Sequence, residues 1–195
     1  MRVLVITGTT RPGRFSERVA AWVCGDLRAR GDLEVDALDL RDVPLPLFDL
    51  ATSPARTPRQ YQNSAHSRLG EAVDAADGFV VLSGEYNHGY PAVLKNAMDH
   101  LFVEWRRKPV GFVGWGGTGG ARAIEQLRLV AIELDMVPLR LAVHALPDVV
   151  MAVRESPAHD LSAFGPLEPR LKAMVDELVW WGTALTEARR AGAPS

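Results

Sequence analysis

Cysteine is nearly absent from this chain: Cys24 stands alone among 195 residues. No intramolecular disulfide and no cysteine-based metal cluster can therefore form. The five histidines are scattered, without HExxH or HxxxH spacing, so no metal site is expected. A strong charge of either sign is also missing. Lys and Arg number 22 against 24 Asp and Glu, a formal net charge of −2. That excludes a general nucleic-acid binder, which needs a basic excess to release counterions. No apolar run approaches the roughly 18 residues of a membrane-spanning helix. The N-terminal apolar run is too short for a signal-peptide core and lacks a small-residue cleavage site. The expectation is a cytoplasmic chain with no membrane partner.

What is present suits a globular protein. Apolar residues make up 47% of the chain, enough at this length to bury a core without staples. One domain is expected over residues 1–190, with the tail 191–195 disordered. There are no repeats and no low-complexity segments.

"RVLVIT" (2–7) is a continuous run rich in β-branched residues, the mark of a strand buried on both faces. Ser16 to Arg30 reads as a helix with Ser16 as N-cap, Val19, Trp22, Val23 and Leu27 at helical spacing, and Gly31 ending it. Residues 33–40 alternate as a second strand. Residues 41–66 carry Pro44, Pro46, Pro54 and Pro58 and form a long irregular connection. A short helix follows over 67–76, then a buried strand over 78–83. Pro91 suits the first position of a helix running through "AVLKNAMDHLF". Residues 109–115 form a strand, 121–134 a helix, 136–143 a last strand in which Pro138 must lie on an edge or at the strand's beginning. Residues 148–153 read as one more short strand, and 168–190 as a final helix with an apolar stripe. Strands alternating with helices predict an α/β fold, a doubly wound parallel sheet. With five main strands the flavodoxin-like order 2-1-3-4-5 is favoured. Its switch point lies between strands 1 and 3, so a ligand should meet the loops that follow them: "GTTRPGRFS" (8–16) and "GEYNHGY" (84–90).

The first loop offers amides at a helix N-terminus, hydroxyls at Thr9, Thr10 and Ser16, and guanidiniums at Arg11 and Arg14. Such a donor set suits a phosphate monoester, which carries about −1.5 to −2 charges at neutral pH. It falls short of a Walker A loop. Arg14 stands where the lysine should be and Phe15 where the magnesium hydroxyl should be. A nucleotide-hydrolase reading and a plain polar turn remain open beside the phosphate cradle. "GWGGTG" (114–119) is a literal G-x-G-x-x-G, but it follows the fourth strand, and the acids Glu133 and Asp135 precede the next strand. It reads better as a tight loop whose backbone approaches something flat.

Together "GTTRPGRFSERVAAW" (8–22), "GEYNHGYPAVLKNAMDHL" (84–101) and "KPVGFVGWGGTGGARAIEQLR" (108–128) resemble the NADPH-dependent FMN reductase family of flavodoxin-like proteins, which includes quinone, azo and chromate reductases. The resemblance runs over about residues 1–145. It implies bound FMN and NADPH or NADH as co-substrate. Thr9, Arg11, Ser16, Arg18 and Val19 match the phosphate-loop region. Glu85, Tyr86, Asn87 and His88 match the loop along the isoalloxazine ring, and Gly116, Gly117, Thr118 and Gly119 the loop on its other side. The region of Glu104, Trp105 and Arg106 helps form the dimer in relatives, so a homodimer or tetramer is implied. Two departures stand out: Gly84 where proline is common and Trp115 where tyrosine is common.

The resemblance implies a reductase that passes hydride from nicotinamide to FMN and then to a quinone, an azo or nitro compound, a metal oxyanion or free flavin. The alternative is a flavin-binding electron carrier or redox-sensing module with little NAD(P)H turnover. No protein nucleophile is needed, because the chemistry belongs to the cofactor. His88 is a candidate substrate contact. Lys95, Asn96 and a buried Cys24 are expected to be structural. Trp180 and Trp181 are expected to pack, one of them towards the core.

Overall fold

The computed structural model describes residues 1–192; the last three residues of the tail expected to be disordered lie outside it, and Ala191 and Gly192 close a turn. Five strands, β1 (Arg2–Thr7), β2 (Glu34–Asp39), β3 (Gly78–Gly84), β4 (Pro109–Trp115) and β5 (Val137–Ala145), form one sheet in the order β2-β1-β3-β4-β5. All four pairings are parallel. The helices are α1 (Ser16–Arg28), α2 (Ser64–Ala75), α3 (Ala92–Asp99), α4 (Ala121–Glu133), α5 (Pro147–Glu155) and α6 (Glu168–Arg190).

The two-residue period of the strands sorts the core into two halves. Leu4, Ile6, Phe79, Val81 and Phe112 face α2, α3 and α4, through Leu69, Val73, Leu94, Met98 and Leu127. Val3, Val5, Val80, Leu82 and Val113 face α1, α5 and α6, through Val19, Val23, Val153, Met174 and Leu178. Every residue of β3 and β4 is buried, whereas β2 and β5 mix buried with exposed positions, as edge strands do. Pro138 sits on an edge strand as expected. It offers no amide, and the β4–β5 register shifts just beyond it, between Val110 and Phe112. Cys24 is buried. Trp181 packs on the α6 side of the core, and Trp180 is exposed. Among the described residues no helix is long and apolar enough to cross a membrane.

Three local expectations are corrected. Ser16 is the first helical residue of α1 and not its cap; Phe15 holds the cap position. Pro91 is likewise the cap residue of α3, and that helix ends at Asp99. The segment 148–153 is part of helix α5 and not a strand. Its β-branched content imitates a strand, but Val149, Val150 and Val153 fall on one helical face and pack into the core. Pro147 at the first turn is preset for a helix and cannot donate to a ladder.

Candidate functional site

The loop after β1 is built around a buried arginine. Arg14 donates to the carbonyl of Thr9, to both oxygens of Asp39 at the end of β2, and weakly to Glu17 Oε1 at 3.4 Å. Its side chain is only 3% exposed. Burial works to raise the Asp39 carboxyl, but the Arg14 hydrogen bonds and the Arg41 amide outweigh it and hold Asp39 below the usual carboxylate range. Arg14 is therefore a strut inside the loop. Above it, Thr9 Oγ1 donates to Ser16 Oγ at 2.7 Å, and both residues are buried. That bond ties the start of the loop to the first turn of α1.

Arg11 is placed differently. Its guanidinium carbon lies 5.4 Å from the centroid of the Tyr86 ring, so it bridges the loops after β1 and β3 across the switch point. A cavity of about 100 Å³ opens there, lined in part by Thr9, Arg11, Phe15, Tyr86, Trp115 and, from α5, Arg154, with the paired Arg14 also on its wall. Arg154 lies 5.5 Å over the Phe15 ring. Among the described residues no carboxylate pairs with Arg11 or Arg154. Sequence reasoning missed Arg154 because its segment was read as a strand. A helical reading, with Val149, Val150 and Val153 inward, leaves Arg154 off the core face.

Arg18 and Val19 do not enter this cavity. Val19 is fully buried in the core. Arg18 donates to the carbonyls of Ser156 at 2.9 Å, Pro157 at 2.7 Å and Asp160 at 2.5 Å, and so clamps the end of α5.

The loop after β3 turns back on itself. Tyr86 and Gly89 exchange both backbone hydrogen bonds, with Asn87 (φ 48°) and His88 (φ 76°) at the tip. Positive φ at both tip residues is the signature of a type I′ turn. Asn87 and His88 are exposed, and the His88 carbonyl is held by Gln126 Nε2. The Glu85 side chain is only 3% exposed and points away from the tip. It accepts from Thr118 Oγ1 at 3.1 Å, from the Arg122 amide at 3.2 Å and from Arg122 Nε at 2.6 Å. Burial opposes the charge, but these donors keep the Glu85 carboxyl below its ordinary range. Glu85 thus stitches the loop after β3 to the 116–119 loop, which lies beside it. Gly119 has φ 64°, and a Cβ there would meet His144 Cβ at 2.8 Å, so only glycine fits that bend.

Gly84 and Trp115 are neighbours in the sheet. A Cβ at Gly84 would lie 3.1 Å from Trp115 Nε1 and 3.3 Å from Tyr86 Cε1. The indole thus occupies the space beside residue 84. Of the three residues expected at a dimer interface, Glu104 and Trp105 are buried and Arg106 pairs with Asp135. Lys95 pairs with Asp99, and Asn96 holds the 41–63 connection through Pro46 and Phe48, as structural roles require. Beneath that connection lies a second hollow of about 530 Å³, lined in part by Asp49, Thr52, Gln62 and His100.

A family model described as NADPH-dependent FMN reductase matches residues 1–149. The chain belongs to this family. It is 38% identical over 135 residues to an NAD(P)H-dependent FMN reductase of Schizosaccharomyces pombe, covering 69% of this chain and 68% of that protein. It is 30% identical over 148 residues to an FMN-dependent NADPH-azoreductase of Staphylococcus saprophyticus, covering 74% and 77%. Among solved structures, the flavoenzyme NAD(P)H:(acceptor) oxidoreductase FerB from Paracoccus denitrificans superposes with a TM-score of 0.68 at 21% identity, over 94% of this chain and 97% of FerB. Membership makes this FMN reductase relative a flavin-dependent NAD(P)H oxidoreductase, with FMN as cofactor and NAD(P)H as co-substrate. Its donor set fits that cofactor. Around the first loop, among the described residues, Arg11, Arg14, Arg41 and Arg154 face only Asp39 and Glu17 as paired carboxylates. The two unpaired guanidiniums match the near-dianionic charge of a phosphate monoester.

Proposed function

We propose that the chain reduces a small-molecule acceptor, a quinone, an azo or nitro compound, a metal oxyanion or free flavin, in the crevice between the loops after β1 and β3. The observation that carries this reading is the convergence of Arg11 and Arg154, both without carboxylate partners among the described residues, on a cavity walled by Tyr86 and Trp115. In this reading Thr9, Arg11 and the first turn of α1 at Ser16 hold the phosphate of FMN. Arg18 and Val19 contribute through the packing of that turn. The backbone of Glu85–His88 and of Gly116–Gly119 borders the ring. Bound FMN supplies hydride acceptance and release. The chain supplies position, backbone donors and a rim that Glu85, Thr118 and Arg122 keep rigid. His88, at the exposed tip of its turn, contacts the acceptor. The chain works in the cytoplasm as a homodimer. Glu104 and Trp105 are interior, so Arg106 is the member of that trio with exposed surface to offer a partner.

The test is anaerobic. Protein loaded with FMN is mixed with NADPH or NADH, and the visible absorbance of the oxidised flavin is followed. Rapid bleaching, reversed by adding a quinone, an azo dye, chromate or free FMN, is the expected result. Flavin that stays oxidised would overturn the reductase reading in favour of an electron carrier or redox sensor. The mass in solution, read by light scattering, checks the dimer.

A further inference from the structure

We infer that Arg154 is a phosphate-contacting residue of the cofactor site, supplied by a segment beyond the matched family residues, and that Arg18 is the positioning residue that holds it there. The inference rests on the reading of the first loop as the FMN phosphate cradle.

Four observations carry it. The matched family residues end at 149, and Arg154 follows on the last turn of α5. Its guanidinium nevertheless reaches back to line the cavity with Thr9 and Arg11. It lies over Phe15 within cation–π range, 5.5 Å from the ring centroid, and among the described residues it has no carboxylate partner. An exposed arginine held over an aromatic ring keeps its five donors free for a ligand and loses less freedom when it binds one.

The position of α5 is itself secured from the first loop's helix. The carbonyls at the end of a helix lack intrahelical partners and carry partial negative charge. Arg18, two residues after Ser16, donates to three carbonyls at and just after the end of α5: Ser156, Pro157 and Asp160. The same turn of α1 that begins the phosphate cradle therefore also anchors the helix that closes it. This gives Arg18 a function that does not need it in the cavity.

Riboflavin separates phosphate contacts from ring contacts, because it is FMN without the phosphate. Dissociation constants of both flavins are measured by the change in flavin fluorescence on binding, for the wild type, Arg11→Ala, Arg154→Gln, Arg154→Lys, Arg18→Gln and the Arg18→Gln/Arg154→Gln double variant. Arg154 is exposed, so its variants should fold, and thermal unfolding checks this for all. The wild type should hold FMN more tightly than riboflavin. Arg154→Gln should weaken FMN about tenfold or more, the range of a charge-assisted hydrogen bond, and leave riboflavin within about twofold. Arg154→Lys should restore part of the loss. Arg18→Gln should lower the FMN preference in the wild type but add nothing in the Arg154→Gln background. Equal weakening of both flavins by Arg18→Gln would show a purely structural role and overturn the positioning assignment. The inference is overturned if Arg154→Gln leaves the FMN-to-riboflavin ratio unchanged while Arg11→Ala collapses it. If the wild type does not prefer FMN at all, the phosphate cradle itself is wrong and the inference falls with it.

Discussion

The two ends of the sheet both gather cations, and they differ in how completely those cations are partnered. At the end where the strands begin, every named cation has a partner. Lys108, at the entry to β4, is buried and donates to the carbonyls of Val73 and Asp74 at 2.8 and 2.9 Å. Arg189 donates to Asp77 and to the carbonyl of Arg107, and Arg106 pairs with Asp135. At the end where the strands finish, Arg11 and Arg154 share a cavity and pair with no carboxylate among the described residues. The difference teaches that an arginine's role here is set by its partners and not by its neighbourhood in sequence. Arg11 and Arg14 stand three residues apart in one loop, yet Arg14 belongs with the paired cations and Arg11 with the free ones.

The sharpest break of that comparison is Arg14→Ala. If Arg14 is a strut, removing it leaves Asp39 with the Arg41 amide and partial solvent but without its main partner, and stability falls by about 2 to 3 kcal/mol. Urea unfolding measures this, and FMN and riboflavin affinities should fall together. An intact fold with a selective loss of FMN would move Arg14 into the ligand class.

Lys108 tests the other end. Burial lowers its ammonium from the ordinary 10.5 to about 8. The folded state then binds fewer protons than the unfolded state between those values, so stability should rise with pH from about 8 towards 10.5. The penalty present below that window is on the order of 3 kcal/mol. Tyr61 acts in the opposite sense at higher pH. Burial and the neighbouring Glu104 raise its phenol to about 12, so stability should fall as pH climbs above its ordinary value of 10.0. Denaturant melts across this range should show a rise that Lys108→Met removes. A flat profile in the wild type would mean that Lys108 is not desolvated.

Arg11→Ala comes next. It should weaken FMN about tenfold without changing riboflavin binding or the unfolding midpoint, the reverse of the Arg14 pattern. Equal losses for both flavins would show that Arg11 serves the ring or the fold.

The smallest effect concerns the rim itself. Gly84→Ala should cost about 1 to 2 kcal/mol in overpacking against Trp115, and Trp115→Tyr should recover most of it. Additive costs in a double-mutant cycle would show the two positions to be independent.

The order of the sheet was legible because β1, β3 and β4 are continuous apolar runs, a pattern that suits strands covered on both faces. The convergence of the loops after β1 and β3 followed from that order. The identity of the true cavity wall did not. Glu85 reads as a loop carboxylate along a ligand, but its side chain is spent on Thr118 and Arg122. Arg18 reads as part of the phosphate motif, but it clamps carbonyls 138 to 142 residues away. Arg154 is legible only if its segment is read as a helix, which puts it off the apolar face of Val149, Val150 and Val153.

The sequence by itself determined the sheet, its order and the two loops that meet at its switch point, because periodicity and turn chemistry act between near neighbours along the chain. Tertiary structure alone decided which of the loop cations stay unpaired. A guanidinium is the same group at positions 11, 14, 18 and 154. Whether it is a strut, a clamp or a free charge depends on which distant carboxylates and carbonyls the folded chain brings within hydrogen-bonding distance.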